Sequence, residues 1–376
     1  MDSALSPLVE RIRAAAASAT PLRIRGGGSK DFYGQALQGE ILDTRALNGI
    51  VSYEPSELVV TARAGTLLAE LEAVLAGQGQ YLAFEPPHFG AGATIGGMVA
   101  AGLAGPARPA AGAVRDYVLG VQMVNGKAEL LSFGGQVMKN VAGYDVSRLM
   151  AGSLGTLGVV TEVSLKVLPQ ATAQATLLFG LDQTAALRQL NTWAGQPLPV
   201  NASGWLMERG QDRNRGLGSG CLRVRLRGAK AAVEAACRSM GGERQDDAAA
   251  AADWNALREQ TLPFFALEPG QCLWRLSVPD TTGVLNLGPY EDPILVEWGG
   301  ALRWVKAPAH AANSLRAAAS AVGGTATLFR CAAGDMARPS AVFHPLAAPL
   351  HRIHRELKKQ FDPAGIFNRA RLYADF

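Results

Sequence analysis

An α+β fold in unlike parts is predicted by three features of the 376-residue sequence. Up to residue 170, short β-branched runs alternate with Ala-rich helical stretches and with blocks crowded by glycine, at 26–28, 90–97 and 143–158. From 171 to about 335, scattered tryptophans, alternating runs such as Cys221 to Arg227 and Ala-rich stretches mark a separate α+β domain. Residues 336–376 hold a basic amphipathic helix and a turn-rich tail. The expected organisation is a first domain over 1–170, a second over 171–335, and this C-terminal segment.

The elements follow in order. Leu5, Leu8, Val9 and Ile12 share one face of an Ala-rich helix over Leu5 to Ala19, stopped by Thr20-Pro21. A strand over Leu22 to Arg25 runs directly into Gly26-Gly27-Gly28-Ser29-Lys30. Strands are expected at Glu40 to Asp43 and Leu58 to Ala62. Thr66 is placed to cap a helix carrying Leu67, Leu68, Leu71, Val74 and Leu75, which Gly77 and Gly79 end. Glu85 to Pro109, rich in Gly and Pro and without Lys or Asp, reads as a long functional loop. Asn125-Gly126 between strand-like runs predicts a type I′ hairpin. Val159 to Leu168 is a β-branched strand closed by Pro169. Later helices are expected near 229–239, 246–259, 309–321 and Pro345 to Gln360, with a sharp turn through Phe361 to Asn368.

The bulk numbers exclude some function classes. Against 32 acidic residues stand 36 basic ones, a formal charge of +4 spread along the chain, so no nucleic-acid surface is implied. Cys221, Cys237, Cys272 and Cys331 form no C-x-x-C pair for zinc or an iron–sulfur cluster and are expected as reduced thiols. No apolar run reaches the roughly 18 to 20 residues of a membrane span. Pro7, Glu10, Arg11 and Arg13 break any signal-peptide core. A cytoplasmic protein is expected, with any membrane association peripheral and through partners.

Consecutive glycines let backbone N–H groups converge on an anion with no side chain in the way, and phosphate is the natural ligand. Two familiar phosphate patterns fail on this loop. The P-loop needs Gly-Lys-Ser/Thr, whereas Lys30 follows Ser29; the dinucleotide pattern needs a glycine where Asp31 stands, which weakens any ribose-binding reading of Asp43. In the second block Gly90, Gly92, Gly96 and Gly97 are followed by Ala100, Ala101, Gly102 and Ala104, which would let an extended ligand lie against the backbone or simply let two segments pack closely.

Taken in order, the blocks Arg25 to Ser29, Ala93-Thr94-Ile95-Gly96-Gly97, Val114 to Gly120, Lys139 to Asp145 and Gly152 to Val160 resemble the FAD-binding family typified by vanillyl-alcohol oxidase and D-lactate dehydrogenase. Phe361-Asp362-Pro363 continues the likeness at the tail. The resemblance implies a two-subdomain PCMH-type FAD-binding lobe with a smaller α+β cap, the C-terminal helix and tail returning to the lobe. It implies cofactor contacts from Arg25, Gly26, Gly27, Gly28, Ser29, Lys30, Pro87, His88, Gly92, Thr94, Ile95, Gly96, Gly97, Asp116, Gly155, Gly158 and Val160. Because Ser29 stands where some relatives carry a flavin-linked histidine, the FAD is expected to be non-covalent. Thr94 as an N-cap, Asp116 as a turn former and His88 in a structural role are the plainer readings.

Within that family, Val137 to Asp145 and the Phe367-Asn368-Arg369 ending are most similar to the glycolate oxidase E subunits. This implies a hetero-oligomer with a larger FAD-binding subunit and an iron–sulfur subunit, oxidising glycolate to glyoxylate. Oxidising a 2-hydroxy acid needs a base for the hydroxyl proton and a cation for the carboxylate. The H-x-G-D-G-N-x-H segment that supplies them in D-2-hydroxy-acid relatives is missing, and the catalytic residues stay unassigned. His351 and His354, three apart on the last helix, have a metal-ligand spacing but no third ligand; Arg303 and Arg330 could recognise a carboxylate. The expectation is an FAD subunit serving electron transfer or assembly. A self-sufficient D-2-hydroxy-acid dehydrogenase and a flavin-free scaffold are the alternatives.

Overall fold

The structure, a computed structural model, describes residues 3–135, 145–207, 220–332 and 341–375. The Val137 to Tyr144 part of the resemblance lies outside these residues. The chain forms two compact units: Met1–Ala104 with Ala113–Gln170 and Ser340–Phe376, and Gly105–Gly112 with Ala171–Pro339. No helix among the described residues is long and apolar enough to cross a membrane.

The first unit begins with the helix Leu5–Ser18, whose Leu5, Leu8, Val9, Ile12 and Ala15 are buried. They pack on Leu22, Leu42, Val124, Val159, Ile366 and Phe367. Each large apolar side chain so buried stabilises the lobe by roughly 1.5–3 kcal/mol. Leu22–Arg25 pairs in parallel with Glu40–Asp43. On its other side it takes up the chain end, where Leu22 N–H donates to Ile366 O at 2.7 Å and Asn368 N–H to Leu22 O at 2.9 Å. A five-stranded antiparallel sheet runs in the order Ile50–Glu54, Val59–Arg63, Val159–Lys166, Val118–Val124, Leu130–Gly134. Its central strand, Val159–Lys166, is buried at every position except Glu162 and Lys166, which are half-buried.

Several local expectations are corrected. The helix after Thr66 is Leu68–Gly77, with Leu67 as an N-cap that makes no side-chain bond. Thr66 is used elsewhere: its hydroxyl accepts from Gly49 N–H at 2.9 Å and donates to Gly49 O at 3.1 Å. The expected long loop contains the helix Ile95–Ala101, because Thr94 caps it and small residues permit it. The hairpin after Val124 is longer than a two-residue type I′ turn. Asn125 Oδ1 accepts from Lys127 N–H and Glu129 N–H, Ala128 takes the left-handed conformation at φ 60°, and a Cβ on Gly126 would meet Asp362 Oδ1 at 2.5 Å. Gly126 therefore serves close packing against the chain end.

The second unit is an eight-stranded antiparallel sheet in the order Glu243–Arg244, Ala173–Leu181, Gly220–Gly228, Val200–Met207, Ile294–Glu297, Leu302–Ala307, Cys272–Ser277, Thr325–Cys331. Its helices include Gln183–Ala194, Lys230–Met240, Asp247–Arg258 and Ala312–Ala321. Asp182 and Asp246 cap two of them by accepting backbone N–H groups at 2.8 Å and 3.0–3.1 Å. The expectation of four reduced thiols is overturned. Cys272 and Cys331 stand directly opposite on neighbouring antiparallel strands and are joined in a disulfide. Fifty-nine residues separate them in sequence, which is why spacing alone did not pair them.

Candidate functional site

Leu22–Arg25 delivers the chain into the first glycine loop, and its surroundings explain the residue choice. A Cβ on Gly27 would stand 1.4 Å from Gly92 O, and one on Gly26 would stand 2.3 Å from Thr94 Oγ1. The loop is thus pressed onto the 90–94 segment backbone to backbone. Gly28 adopts φ +74°, which costs glycine nothing and a side chain about 1 kcal/mol or more. Thr94 accepts from Gly97 N–H at 3.2 Å, and a Cβ on Gly96 would be 2.7 Å from Ala64 Cβ.

A second wall comes from the turn before Val159–Lys166. Leu154 N–H donates to Ala100 O at 2.8 Å, tying this turn to the helix Ile95–Ala101. Gly155 has φ +70° and Gly158 φ +157°, and a Cβ on Gly158 would strike Met123 Cε at 2.3 Å. The chain end closes the arrangement. Asn368 Oδ1 accepts from Ile24 N–H at 2.8 Å while its Nδ2 donates to Leu154 O at 2.6 Å. Arg371 donates to Asp31 O at 2.9 Å and to Gln35 O.

These segments enclose one cavity. It gathers Arg25, Gly26, Gly27, Gly28, Ser29, Lys30, Thr94, Gly96, Gly97, Gly155, Gly158 and Val160. Arg25, Lys30 and Arg371 line it with Asp31, whose carboxylate already holds Arg23 and Arg25. The lining is cationic, with backbone close at hand, and suits an extended phosphate-bearing ligand.

Five of the residues the resemblance pointed to do not line this cavity. Gly92 packs on Gly27, and Ile95 is fully buried in the core. Pro87 is buried; His88 Nε2 pairs with Glu72 Oε2 at 2.9 Å, and its carbonyl accepts from Lys30 Nζ at 3.1 Å. Asp116 accepts from Ala113 N–H at 2.8 Å at the start of the short helix Val114–Tyr117. Asp43 also stays outside: its hydrogen bonds from Arg45 hold the carboxyl below the usual range. Sequence reasoning missed Ser153, Leu154, Asn368 and Arg371 as lining residues. The signal was the Phe367-Asn368-Arg369 ending, noticed as a likeness and not as a wall of the site.

The two histidines of the last helix each meet another side chain. His351 Nε2 meets Asp375 Oδ2 at 2.8 Å and the His354 ring stands edge-on to Tyr373 at 6.1 Å. No group of three or more His, Cys, Asp or Glu able to hold a metal occurs among the described residues. Arg303, weighed as a carboxylate binder, is fully buried; burial lowers it to about 10 and its Nη2 donates to Thr282 O at 2.9 Å.

The fold and the cradle define a flavin-binding lobe, and the FAD binding domain family matches residues 6–134. Over 368 residues the chain is 46% identical to glycolate oxidase subunit GlcE of Escherichia coli K12, covering 98% of this chain and 97% of that protein. The chain belongs to that family of FAD-binding oxidoreductase subunits. It is also 32% identical to glycolate oxidase subunit GlcD of Bacillus subtilis, over 42% of this chain and 34% of that one. A D-lactate dehydrogenase of Archaeoglobus fulgidus is 34% identical over 40% of this chain and 34% of its own length. Among solved structures, an alkyldihydroxyacetonephosphate synthase has the same fold, with a TM-score of 0.68 at 16% identity over 96% of this chain and 74% of that one.

FAD fits the residues present. Gly26, Gly27 and Gly96 each stand where a Cβ would collide with neighbouring atoms, so they keep the walls in place, and the adjoining lining is cationic. The cofactor of this chain is FAD.

Proposed function

We propose that the chain is the FAD-binding small subunit of a glycolate-oxidising complex, working with a larger FAD-binding subunit and a separate iron–sulfur subunit. The reading is carried by one observation: likeness to a glycolate oxidase subunit over 98% of the chain, with the glycine cradle intact. Residues 1–170 and the C-terminal helix and tail serve the cofactor; residues 171–335 serve substrate or subunit contacts.

In this reading the backbone of Gly26 to Ser29 and the segment Thr94 to Gly97 hold the pyrophosphate, with Lys30 and Arg25 supplying positive charge. Gly155 to Val160 offer backbone to the adenine or the ring system, and Asn368 and Arg371 complete the wall. Ser29 leaves the cofactor non-covalent. Bound FAD supplies a two-electron acceptor that can pass electrons onward singly. Any association with a membrane runs through the partner subunits.

The test is an anaerobic visible spectrum of the purified chain before and after glycolate. A flavin band that stays oxidised supports electron transfer or assembly; bleaching assigns substrate oxidation to this chain itself. A chain that neither carries nor takes up FAD overturns the reading.

A further inference from the structure

One face of the eight-stranded sheet holds charged side chains with hydrogen-bonding capacity unspent. The register sets Arg275 opposite Trp304 and Trp304 opposite Leu295. Side chains alternate along a strand, so Glu297, two residues beyond Leu295, shares that face. Glu297 is 5% exposed, and Trp304 Nε1 donates to its Oε1 at 2.6 Å. Its other oxygen has no donor among the described residues.

Arg275 attracts Glu297 without joining it in an ion pair. Its guanidinium lies over the Trp298 ring at 5.1 Å and makes no hydrogen bond among the described residues. Arg108 stacks on the same indole at 4.5 Å. A guanidinium placed over an indole, with its fork of donors unspent, is suited to take a carboxylate.

The backbone beside them is strained. Trp298 has φ 56°, a left-handed conformation costing a bulky residue about 1–3 kcal/mol, and Gly299 follows at φ 65°. Two bonds hold it there: Trp298 Nε1 donates to Gly105 O at 3.1 Å and Gly299 N–H to Ser203 Oγ at 2.9 Å. The strain presents the indole on which Arg275 rests.

We propose that Arg275 and Glu297 form a binding site for a small carboxylic acid, the guanidinium taking the carboxylate and Glu297 taking up one proton as the acid enters. A bound carboxylate puts negative charge beside Glu297, and proton uptake relieves it. Burial raises the Glu297 carboxyl to about 7, against the lowering effects of the Trp304 hydrogen bond and Arg275, so the proton is gained in the neutral range. The other cations on this face have partners of their own: Arg108 stacks on Trp298, Lys306 lies over Phe264, Arg330 over Phe265 and Arg225 over Trp254, while Arg223, which shares Gly204 as a strand partner with Glu297, pairs with Asp253 at 3.4 Å. Gly204, opposite Glu297 on its other side, has nothing to titrate, and Arg303 is on the reverse face opposite Val296.

Glycolate is chosen as the probe because the inference rests on the function proposed above. Calorimetric titration of glycolate into the full chain, at pH 6 and pH 8 and in buffers of different ionisation enthalpy, should show one site that takes up as much as one proton. Affinity should fall by about tenfold between the two pH values. R275Q should weaken binding by more than about tenfold, with R275K in between. E297Q should still bind while proton uptake and pH dependence vanish. FAD content and melting temperature report whether each variant is folded. No binding to flavin-loaded wild type, binding unchanged in folded R275Q, or proton uptake retained in E297Q would overturn the site and leave the flavin-subunit reading standing. A chain that binds glycolate but never FAD would do the reverse.

Discussion

Lys358 and Asp362, one helical turn apart, form a buried ion pair in which both charges are fully occupied. Lys358 Nζ donates to Asp362 Oδ2 at 2.7 Å, to Thr156 O at 2.8 Å and to Phe367 O at 2.7 Å. Asp362 accepts in turn from Ile366 N–H at 3.0 Å and Phe367 N–H at 2.8 Å. Burial lowers the Lys358 pKa, and Asp362 pulls it back up. The pair locks the sharp turn after the helix Ala348–Phe361 and so sets Asn368 and Arg371 on the cavity wall. Removing one partner leaves the other charge buried alone, at a cost of about 3–5 kcal/mol. K358M and D362N should each lower the melting temperature and reduce retained flavin. The double variant should cost less than the sum of the two, and a strictly additive double-mutant cycle would count against the coupling.

The glycine cradle makes a sharper claim about the cofactor. In G27A the new methyl would stand 1.4 Å from Gly92 O and 2.3 Å from its carbonyl carbon, backbone atoms with no side-chain freedom to yield. The two loops must separate, and flavin per chain should fall by more than about tenfold because the cradle itself is displaced. G77A, where nothing lies within 4 Å of the added Cβ, should retain wild-type flavin. The ratio of flavin to protein absorbance in the two purified variants decides.

Much of this lobe was legible before its shape was known, because its signals are local. Arg25 to Ser29 and Thr94 to Gly97 announce themselves by residue types that only a crowded backbone requires. His88 and Asp116 look equally functional in sequence, yet Glu72 engages one and Ala113 N–H the other; a polar residue satisfied by a partner 16 or 3 positions away gives no sign of it in the chain. Asn368 was hidden for the opposite reason. It reaches the site only because the chain end pairs with Leu22, a contact spanning most of the sequence. The second unit hides its chemistry similarly: Arg275, Glu297 and Trp304 meet through strand register alone.

Cys272 and Cys331 give a prediction about covalent state. Denatured without reductant, the chain should titrate two thiols, those of Cys221 and Cys237, and four after reduction. Closing a loop across 59 residues stabilises by up to about 4 kcal/mol in the chain-entropy limit, so reductant or C272S/C331S should lower the melting temperature of the second unit. Four thiols in the unreduced chain would refute the bond.

Glu297 makes stability depend on pH in a direction that can be stated. Its carboxyl titrates at about 7 when folded against 4.5 ordinarily, the largest cause being burial. Between those values the folded state holds a proton that the unfolded state has released, so stability falls as pH rises through this window and levels off above it. The contribution is on the order of 3 kcal/mol if the whole shift survives solvent relaxation. E297Q stays neutral throughout and keeps an acceptor for Trp304 Nε1. It should therefore gain on wild type from pH 5 to about pH 7, and the difference should level off by pH 8, in chemical denaturation. W304F removes a hydrogen bond that lowers the Glu297 pKa, so its stability loss should extend to higher pH than in wild type. Parallel wild-type and E297Q profiles over that range would mean that Glu297 remains ionised in the fold, and would remove the proton on which the carboxylate site depends.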